Sequence, residues 1–253
     1  MTAVERIEPV PTSRPGVPNR RFFGVIGATG QIGQRAVTEA LSRDHHVRAF
    51  TRDTAHANAA HPDLTWASLD IFDSAAVAAQ LPGLDMLLSC YQPGNAAQDF
   101  GGAVASAIAD PTVYATAARS LLKALEAHPR TRLIVVGGAG SLEIEPGRVA
   151  ADEDVRLRQG LERLGLPADY ALASRGHRDA LNVLRASNRR WTYFSPAELI
   201  APGERTGRFR IGEDQIVIDA DGRSRISMED AAVALLDEAE LPRFLQRRFT
   251  IGY

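Results

Sequence analysis

Short apolar runs alternate along the chain with longer stretches in which apolar residues recur at helical spacing. The apolar runs predict strands over residues 22–27, 46–51, 64–68, 85–90, 132–138 and 191–196, with two later strands over 215–219 and 248–252. The helical spacing predicts helices over residues 32–44, 73–83 and 110–129, and one or two helices over 152–187 that break near Gly165 and Pro167. Strands that alternate with helices are typical of a parallel sheet covered on both faces. The pattern therefore predicts an α/β fold with a doubly wound parallel sheet.

Residues 91–110 depart from this pattern, because glycines, a proline and amide side chains follow the fourth predicted strand. They predict a loop that is too long for a plain connector. Long loops at this end of a parallel sheet usually contact ligand. Asp110 and Pro111 are then the start signals of the next helix, with Asp110 as its cap.

A chain of 253 residues is long enough to bury the core of one α/β domain with a compact C-terminal appendage. We expect residues 21–253 to form this domain, after a leader over residues 1–20. The leader is rich in proline and has no apolar run of the length that a signal peptide or a membrane span needs. It is predicted to be flexible, with an arm that crosses to a partner subunit as the alternative.

The charged residues are balanced, with a formal net charge of −2, so a strongly basic surface for nucleic acid or an anionic membrane is not expected. The single cysteine, Cys90, excludes an intramolecular disulfide and a multi-cysteine metal site, and it fits a reducing, cytoplasmic location. The histidines other than His177 fall in predicted connectors and turns, so no metal site is expected. We expect a monomer or a homodimer that acts on a small molecule.

A glycine-rich turn follows the first predicted strand. Gly27, Gly30 and Gly33 have the spacing G-x-x-G-x-x-G and precede an amphipathic helical stretch. In a dinucleotide fold the first glycine permits the sharp turn, the second lets the backbone approach a pyrophosphate, and the third lets the helix pack against the strand. Backbone N–H groups at the helix start then face the anion. A glycine-rich turn without ligand is the alternative, but the strands and helices that follow favour a dinucleotide.

The end of the second predicted strand decides between NAD and NADP. An acidic side chain there would hold the two ribose hydroxyls of NAD. Residues 50–51 are phenylalanine and threonine instead, and Arg52 follows with a guanidinium suited to a 2′-phosphate. NADP(H) is therefore favoured over NAD(H), although Asp53 becomes an NAD-type acid if the strand ends two residues later. Asp70, after the third strand, either reaches the adenine side of the pocket or shares with Asp73 the capping of the next helix.

Short-chain dehydrogenases commonly use a tyrosine four residues before a lysine as proton donor. None of the five tyrosines of the chain has a lysine at that offset. A positioned proton donor contributes about 10²- to 10⁴-fold to the rate, so an alcohol dehydrogenase or a sugar epimerase would rarely dispense with it. The missing pair favours an acceptor that needs little acid catalysis, such as a flavin or another conjugated ring. For such an acceptor the protein mainly stacks donor on acceptor and excludes water.

Candidate residues follow the fourth, fifth and sixth predicted strands, at the expected nicotinamide end. They are Ser89, Cys90, Tyr91, Gly138, Ser141, Ser195 and Pro196. Tyr91 could stack on an acceptor and Ser141 could bind a substrate carbonyl; the alternatives are a packed loop aromatic and a turn cap. Cys90 is interpreted as a buried apolar residue rather than a nucleophile. His177 is a catalytic candidate on the helix that faces the cleft in related folds, with a solvated position as the alternative, and Tyr170 has the same ambiguity.

Several segments are more specific than the glycine motif. The most specific are SPAELIAPGERTG (195–207) and DADGRSRIS (219–227). They are joined by VIGATGQIG (25–33), VVGGAGSLEIEPG (135–147) and QRRFTIGY (246–253). With these segments the chain resembles, over residues 22–253, the NADH-flavin reductases, which are atypical short-chain dehydrogenases with a biliverdin reductase B-like fold.

The resemblance implies a Rossmann sheet, a nicotinamide cofactor and the reduction of flavin-like or quinone-like acceptors. It puts the pyrophosphate against Gly27, Thr29, Gly30, Gln31 and Ile32. It puts the adenosine phosphate against Arg52 and the nicotinamide ribose along Ser89, Cys90 and Tyr91. It puts the nicotinamide beside Gly138, Ala139, Ser195, Pro196 and Ala197. A small C-terminal lobe at about 197–230 would lie over the cleft.

The sequence therefore favours an NAD(P)H-dependent reductase that transfers hydride to a flavin, a quinone or a related conjugated acceptor. Flavin would be its substrate rather than a tightly bound group. A non-catalytic, NADP-sensing regulatory protein keeps the same nucleotide site and explains the missing Tyr–Lys pair equally well. A specialised biosynthetic reductase or isomerase, whose substrate supplies its own acid-base group, is the third hypothesis.

Overall fold

A computed structural model describes residues 20–57, 60–94 and 99–253 of the chain. Residues 1–19 of the predicted leader and residues 95–98 of the predicted loop lie outside the described residues. The strands are β1 (Phe22–Ile26), β2 (His46–Thr51), β3 (Leu64–Ser68), β4 (Met86–Ser89), β5 (Arg132–Val136), β6 (Glu143–Glu145), β7 (Arg148–Val149), β8 (Trp191–Phe194), β9 (Leu199–Ala201), β10 (Arg210–Gly212), β11 (Arg225–Ser227) and β12 (Arg247–Gly252). The helices are α1 (Gln31–Ser42), α2 (Ser74–Gln80), α3 (Phe100–Ala109), α4 (Val113–Ala124), α5 (Asp154–Arg163), α6 (Ala171–Arg185) and α7 (Met228–Glu240).

The central sheet has the strand order β10-β12-β8-β5-β4-β1-β2-β3. All neighbouring strands in it are parallel except β10, which runs antiparallel to β12. The chain winds outward from β1 through β2 to β3, and then returns to place β4 on the other side of β1. This reversal opens a crevice at the carboxyl ends of β1 and β4, where open parallel sheets bind their ligands. The predicted doubly wound parallel sheet is confirmed.

Two apolar layers cover the sheet. Buried side chains of α1 and α7 form the core on one face, whereas those of α2, α4 and α6 form the core on the other. The strands between them are almost continuously apolar, as β5 illustrates with five buried residues in a row. A strand that is buried on both faces needs such a run, and this is why the main strands could be found from the sequence.

Capping side chains set where some of the helices begin. The Asp73 carboxylate accepts hydrogen bonds from the N–H groups of Ala75 and Ala76, both at 3.0 Å, and α2 starts immediately after it. The predicted cap at Asp73 is confirmed. Between α5 and α6 the chain breaks at Gly165 and Pro167, as predicted, and α6 begins at Ala171.

The predicted loop over residues 91–110 is wrong in its second half, which is helix α3. The Asp99 carboxylate caps this helix by accepting a hydrogen bond from the N–H of Gly102 at 2.7 Å. Asp110 was predicted to cap the next helix, but it bonds the N–H and the hydroxyl of Thr112, at 2.9 and 2.6 Å, and α4 begins after that residue. Two of the three glycines that suggested a loop, Gly101 and Gly102, lie in the first turn of α3, where the backbone N–H groups have no helical partners.

The strand predicted over residues 215–219 is also wrong. In this segment Gln215 forms an isolated bridge with Glu143, and no ladder continues from it. Instead, the Asp219 carboxylate accepts hydrogen bonds from the backbone N–H groups of Asp221 and Arg223, both at 2.9 Å. An aspartate that draws nearby N–H groups into a turn competes with strand pairing. The short strands β9, β10 and β11 were not predicted.

The C-terminal segment from residue 199 to residue 227 is bonded to the α1 and α7 face. The Arg205 guanidinium donates two hydrogen bonds of 2.8 Å to the carboxylate of Glu39 on α1. Asp230 on α7 is fully buried and accepts from the Thr206 hydroxyl at 2.5 Å and from the Gly207 N–H at 2.8 Å. Although burial raises the pKa of Glu39, the hydrogen bonds from Arg205 and Arg43 hold it below its usual value. These contacts fix the segment to α1 and α7.

Among the described helices, none is long and apolar enough to cross a membrane.

Candidate functional site

The glycine-rich turn joins β1 to α1 at the crevice. The chain reverses at Gly27, whose φ is +73°, and α1 begins with Gly30 as its cap residue. No side chain among the described residues caps α1, and its first turn contains no acidic residue. The first N–H groups of a helix have no partners within the helix, and the helix dipole is positive there. The start of α1 is therefore free to meet a phosphate, as the motif predicts.

The third glycine of the motif holds α1 close to the turn. A side-chain Cβ at Gly33 would lie 2.8 Å from the carbonyl carbon of Gly27 and still closer to its oxygen. Real Cβ atoms essentially never approach backbone so closely. Only glycine therefore allows this packing of helix on strand, which is the geometry that the spacing of the motif predicts.

At the end of β2 the two rival side chains behave differently. β2 ends at Thr51, so Arg52 is the first residue after the strand, and its side chain is exposed. The Asp53 carboxylate accepts a hydrogen bond from the N–H of Ala55 at 2.9 Å and caps a short turn. The Ser68 hydroxyl donates to the Arg52 carbonyl at 3.2 Å and steadies the backbone there. The arginine is thus presented at the crevice, while the aspartate is engaged within its own turn.

Tyr91 lies near Arg52 and Asp70, the two residues that the sequence predicts for the adenosine part of the pocket. Its ring meets the ring of Phe72 edge to face, with centroids 5.6 Å apart. Burial raises the pKa of Tyr91, the nearby charge of Arg52 lowers it, and that of Asp70 raises it. The carboxylate of Asp70 also accepts a hydrogen bond from the N–H of Phe72 at 3.0 Å. The structure therefore places Arg52 and Asp70 near this catalytic candidate.

Ser89 and Cys90 form the buried wall between β4 and β1. Both are almost inaccessible, and the Cys90 N–H donates to the Ile26 carbonyl at 2.9 Å. Burial raises the pKa of the Cys90 thiol to about 12. Because the thiolate is the reactive form, a thiol with such a pKa is inert at neutral pH. The interpretation of Cys90 as a buried apolar residue agrees with this environment.

Ser141 and Ser195 form one buried hydrogen-bonded pair. Their hydroxyl oxygens lie 2.8 Å apart, and the Ser141 hydroxyl is also 2.8 Å from the Gly138 carbonyl oxygen. A carbonyl only accepts, so Ser141 donates to Gly138 and Ser195 donates to Ser141. The Arg248 guanidinium donates to the Ser141 carbonyl, and it pairs with Asp214 at 2.6 Å. Both serine protons are used inside the protein, which favours the alternative that Ser141 shapes the turn.

His177 lies on the inner face of α6 and is 6% exposed, so the alternative of a solvated histidine is wrong. Its ring centroid is 4.1 Å from that of Tyr114, and a Cβ at Gly138 would lie 2.5 Å from its Cδ2. Burial lowers the pKa of His177 to about 3. The imidazole is therefore neutral at physiological pH and cannot act there as an imidazolium acid.

The remaining predicted residues line the same edge of the sheet. Thr29, Gln31 and Ile32 belong to the turn and the first turn of α1. Ser195 and Pro196 directly follow β8 and are buried. Sequence reasoning assigned no role to Tyr114 or Arg248. The side-by-side packing of α4 and α6 brings Tyr114 to the site, and the parallel pairing of β12 with β8 sets Arg248 beside Tyr193.

The winding of the sheet, the glycine turn and the uncapped start of α1 define a dinucleotide-binding protein of the Rossmann type. A family model described as NAD(P)H-binding matches residues 27–239. The chain belongs to this NAD(P)H-binding family.

Similar proteins span nearly the whole chain. YwnB of Bacillus subtilis (strain 168) is 31% identical over 231 residues, which cover 90% of this chain and 97% of YwnB. A crystal structure of a "putative exported protein" from Burkholderia pseudomallei has 36% identity and a TM-score of 0.74, and covers 92% of this chain and 100% of that chain.

Two further solved structures have names that mention an activity. A "putative epimerase" from Bacteroides thetaiotaomicron is 29% identical with a TM-score of 0.76, over 93% of this chain and 98% of that chain. A "putative NADH-flavin reductase" from Streptococcus pneumoniae TIGR4 is 26% identical with a TM-score of 0.73, over 92% of this chain and 99% of that chain. The predicted resemblance to this group is confirmed at the level of the NAD(P)H-binding family.

Proposed function

We propose that the protein is an NADPH-dependent reductase that passes hydride to a conjugated acceptor, of which flavins and quinones are the candidates. The observation that carries this proposal is the burial of the polar side chains next to the crevice. His177 is 6% exposed, and the hydroxyl protons of Ser141 and Ser195 are used within the protein. Burial also lowers the pKa of His177 to about 3, so its imidazole is not a proton donor there. An acceptor that delocalises the incoming electron pair suits such a site, because it can collect its proton from solvent.

The preference for NADPH rests on the residues after β2. Arg52 is exposed beside the crevice and can bond a 2′-phosphate with a charge-assisted, forked contact. Asp53 is the acid that would favour NADH, but its carboxylate accepts a hydrogen bond from the N–H of Ala55 in the turn that it caps. Thr29 to Gly33 would hold the pyrophosphate at the start of α1. When bound, the cofactor supplies the hydride. The buried residues Ser195 and Pro196 would exclude water from the nicotinamide ring, from which the hydride is transferred.

The names of the two similar structures support different chemistries. An epimerase that works through an alcohol needs an acid-base group, and no tyrosine of this chain is followed by the lysine that usually supplies it. Reduction of a conjugated ring does not need an acid-base group from the protein. The site therefore favours the chemistry named for the Streptococcus protein. A cytoplasmic location, a monomeric or homodimeric state, and the absence of nucleic-acid or membrane partners stay predictions.

The test is a direct assay. Purified protein is mixed with NADPH and either FMN or menadione, and the absorbance of NADPH at 340 nm is followed. We expect oxidation that depends on both protein and acceptor, and slower oxidation of NADH. NADPH that binds tightly but is oxidised with neither acceptor would contradict a reductase and favour the NADP-sensing alternative.

A further inference from the structure

Tyr114 lies at the crevice end of α4 and has no role in the function proposed above. α4 connects β4 to the parallel strand β5, so its first turn lies near the carboxyl edge of the sheet. Tyr114 is the second residue of the helix and is 5% exposed. Its side chain therefore points into the protein at the edge where the dinucleotide and its acceptor are proposed to bind.

The ring of Tyr114 is fixed by its neighbours on α6. The His177 ring lies 4.1 Å away between centroids, at an interplanar angle of 47°. A Cβ at Gly176, the residue before His177, would lie 2.5 Å from Cδ2 of Tyr114, so only glycine leaves room for the ring. The hydroxyl of Tyr114 cannot change its position easily, because a ring held between two helices has few alternative rotamers.

The hydroxyl of Tyr114 is buried and has no hydrogen-bond partner among the described residues. Two other tyrosines of the fold are satisfied: Tyr193 donates to the His177 carbonyl at 2.8 Å, and Tyr253 donates to the Asp230 carboxylate at 2.8 Å. Buried polar groups in native proteins are almost always bonded, because an unpaired one loses its water without compensation. An exception at the edge of a ligand crevice points to a partner that arrives with the ligand.

The side chains near the Tyr114 hydroxyl indicate the direction from which a ligand atom could reach it. Burial raises the pKa of Tyr114 most, and the phenol groups of Tyr170, Tyr91 and Tyr193 raise it further. Tyr91 and Tyr170 are only half-buried and pack against the same core cluster as Tyr114. Two phenol side chains that solvent partly reaches therefore lie near the unpaired hydroxyl.

We infer that the hydroxyl of Tyr114 is a hydrogen-bond donor for the ring carbonyl of the hydride acceptor. This inference rests on the proposed function. Flavins and quinones share a carbonyl conjugated to the ring that is reduced, and a neutral phenol can donate to that oxygen at any physiological pH. Tyr91 and Tyr170 are the side chains that shift to admit the ring. Tyr114 thus selects acceptors by their carbonyl and does not contact the dinucleotide.

The test compares Tyr114→Phe with Ser120→Ala. Ser120 also lies on α4 and also has a buried hydroxyl without a partner, but it is nearly two turns further from the crevice. Both variants remove an unpaired buried hydroxyl, so we expect the melting temperature of each free protein to stay equal or rise by about 2 °C. In contrast, only Tyr114→Phe should lower kcat/KM, by about tenfold, with FMN and with menadione. Its dissociation constant for NADPH should stay within about twofold of wild type.

Three results would overturn this inference while the wild-type protein is active. They are an unchanged kcat/KM of Tyr114→Phe with both acceptors, a loss of NADPH affinity in the same variant, and a fall in the melting temperature of its free form. A loss with only one of the two acceptors would assign the carbonyl contact to that acceptor. A wild-type protein that oxidises NADPH with neither acceptor would instead overturn the proposed function itself, and the inference with it.

Discussion

The hydroxyl oxygens of Ser141 and Ser195 lie 2.8 Å apart in the core, although 54 residues separate them in the chain. Ser141 is 1% exposed and Ser195 is fully buried. The pair joins the turn after β5 to the segment after β8, and it does so at the crevice. Its two protons point into the protein, toward Ser141 and the Gly138 carbonyl.

The first prediction concerns this pair. Ser141→Ala removes both hydrogen bonds and leaves the Ser195 hydroxyl unpaired, so the free energy of unfolding should fall by about 1–3 kcal/mol. Because the serine protons are not available to a substrate, KM for FMN should stay within about threefold. Urea unfolding and steady-state kinetics measure the two effects. A raised KM in a variant of unchanged stability would instead assign Ser141 to substrate binding.

The second prediction concerns Arg52. Arg52→Ala should weaken NADPH binding by about 10- to 100-fold, through loss of a charge-assisted contact to the 2′-phosphate, and should change NADH binding little. Asp53→Asn is the matched control, since it alters the neighbouring charge and leaves the guanidinium in place. That variant should keep the ratio of the two affinities. Titrations of nicotinamide fluorescence give both dissociation constants, and equal losses for NADPH and NADH in Arg52→Ala would show that the arginine does not read the phosphate.

The sheet could be predicted from the sequence, but the interior of the site could not. Strands such as β5 are apolar on both faces, and a parallel strand between two helical layers must be. Within the described part of the chain, the three-residue strands β9 and β11 pair only with each other, and so short a segment leaves no periodic signal. The sequence could not decide whether Arg52 or Asp53 faces the adenosine ribose, because the answer depends on where β2 ends and on the turn that Asp53 caps.

Contacts between distant residues are the part that the sequence hides most. Tyr114 and His177 meet because α4 packs along α6, and no local pattern specifies the rotation of two helices about their axes. The burial of His177 has the same origin. The sequence allows a solvated position for His177 on its helix, whereas in the structure the residue lies on the buried inner face of α6.

The third prediction concerns the dependence of stability on pH. An unfolded histidine gains a proton below about pH 6.5, whereas burial holds the pKa of His177 at about 3 in the folded protein. The unfolded chain therefore binds more protons between these values, so His177 lowers stability as the pH falls through that window. The slope is about 1.4 kcal/mol per pH unit at most, and the effect is absent above pH 7.

The variant that tests this is His177→Phe, which keeps a ring beside Tyr114 and has nothing to protonate. Its stability should decline less than that of the wild type between pH 7 and pH 5, in urea unfolding at fixed ionic strength. His61→Asn, at an exposed position, is the comparison variant that removes a histidine outside the core. Parallel curves for the wild type and His177→Phe would mean that the imidazole is hydrated and protonates in the folded state.

The fourth prediction concerns Gly33, where the backbone of the turn leaves no room for a side chain. Gly33→Ala must push α1 away from Gly27, and such overpacking lowers stability by about 1–3 kcal/mol. The displacement also moves the first N–H groups of α1, so NADPH affinity should fall at least about tenfold in the folded variant. Gly160→Ala on α5 is the matched control, because its new Cβ would meet only the end of the Arg163 side chain, at 3.8 Å. That change should be neutral or stabilise the helix by up to about 1 kcal/mol. If folded Gly33→Ala keeps its affinity for NADPH, the dinucleotide does not bind at the start of α1.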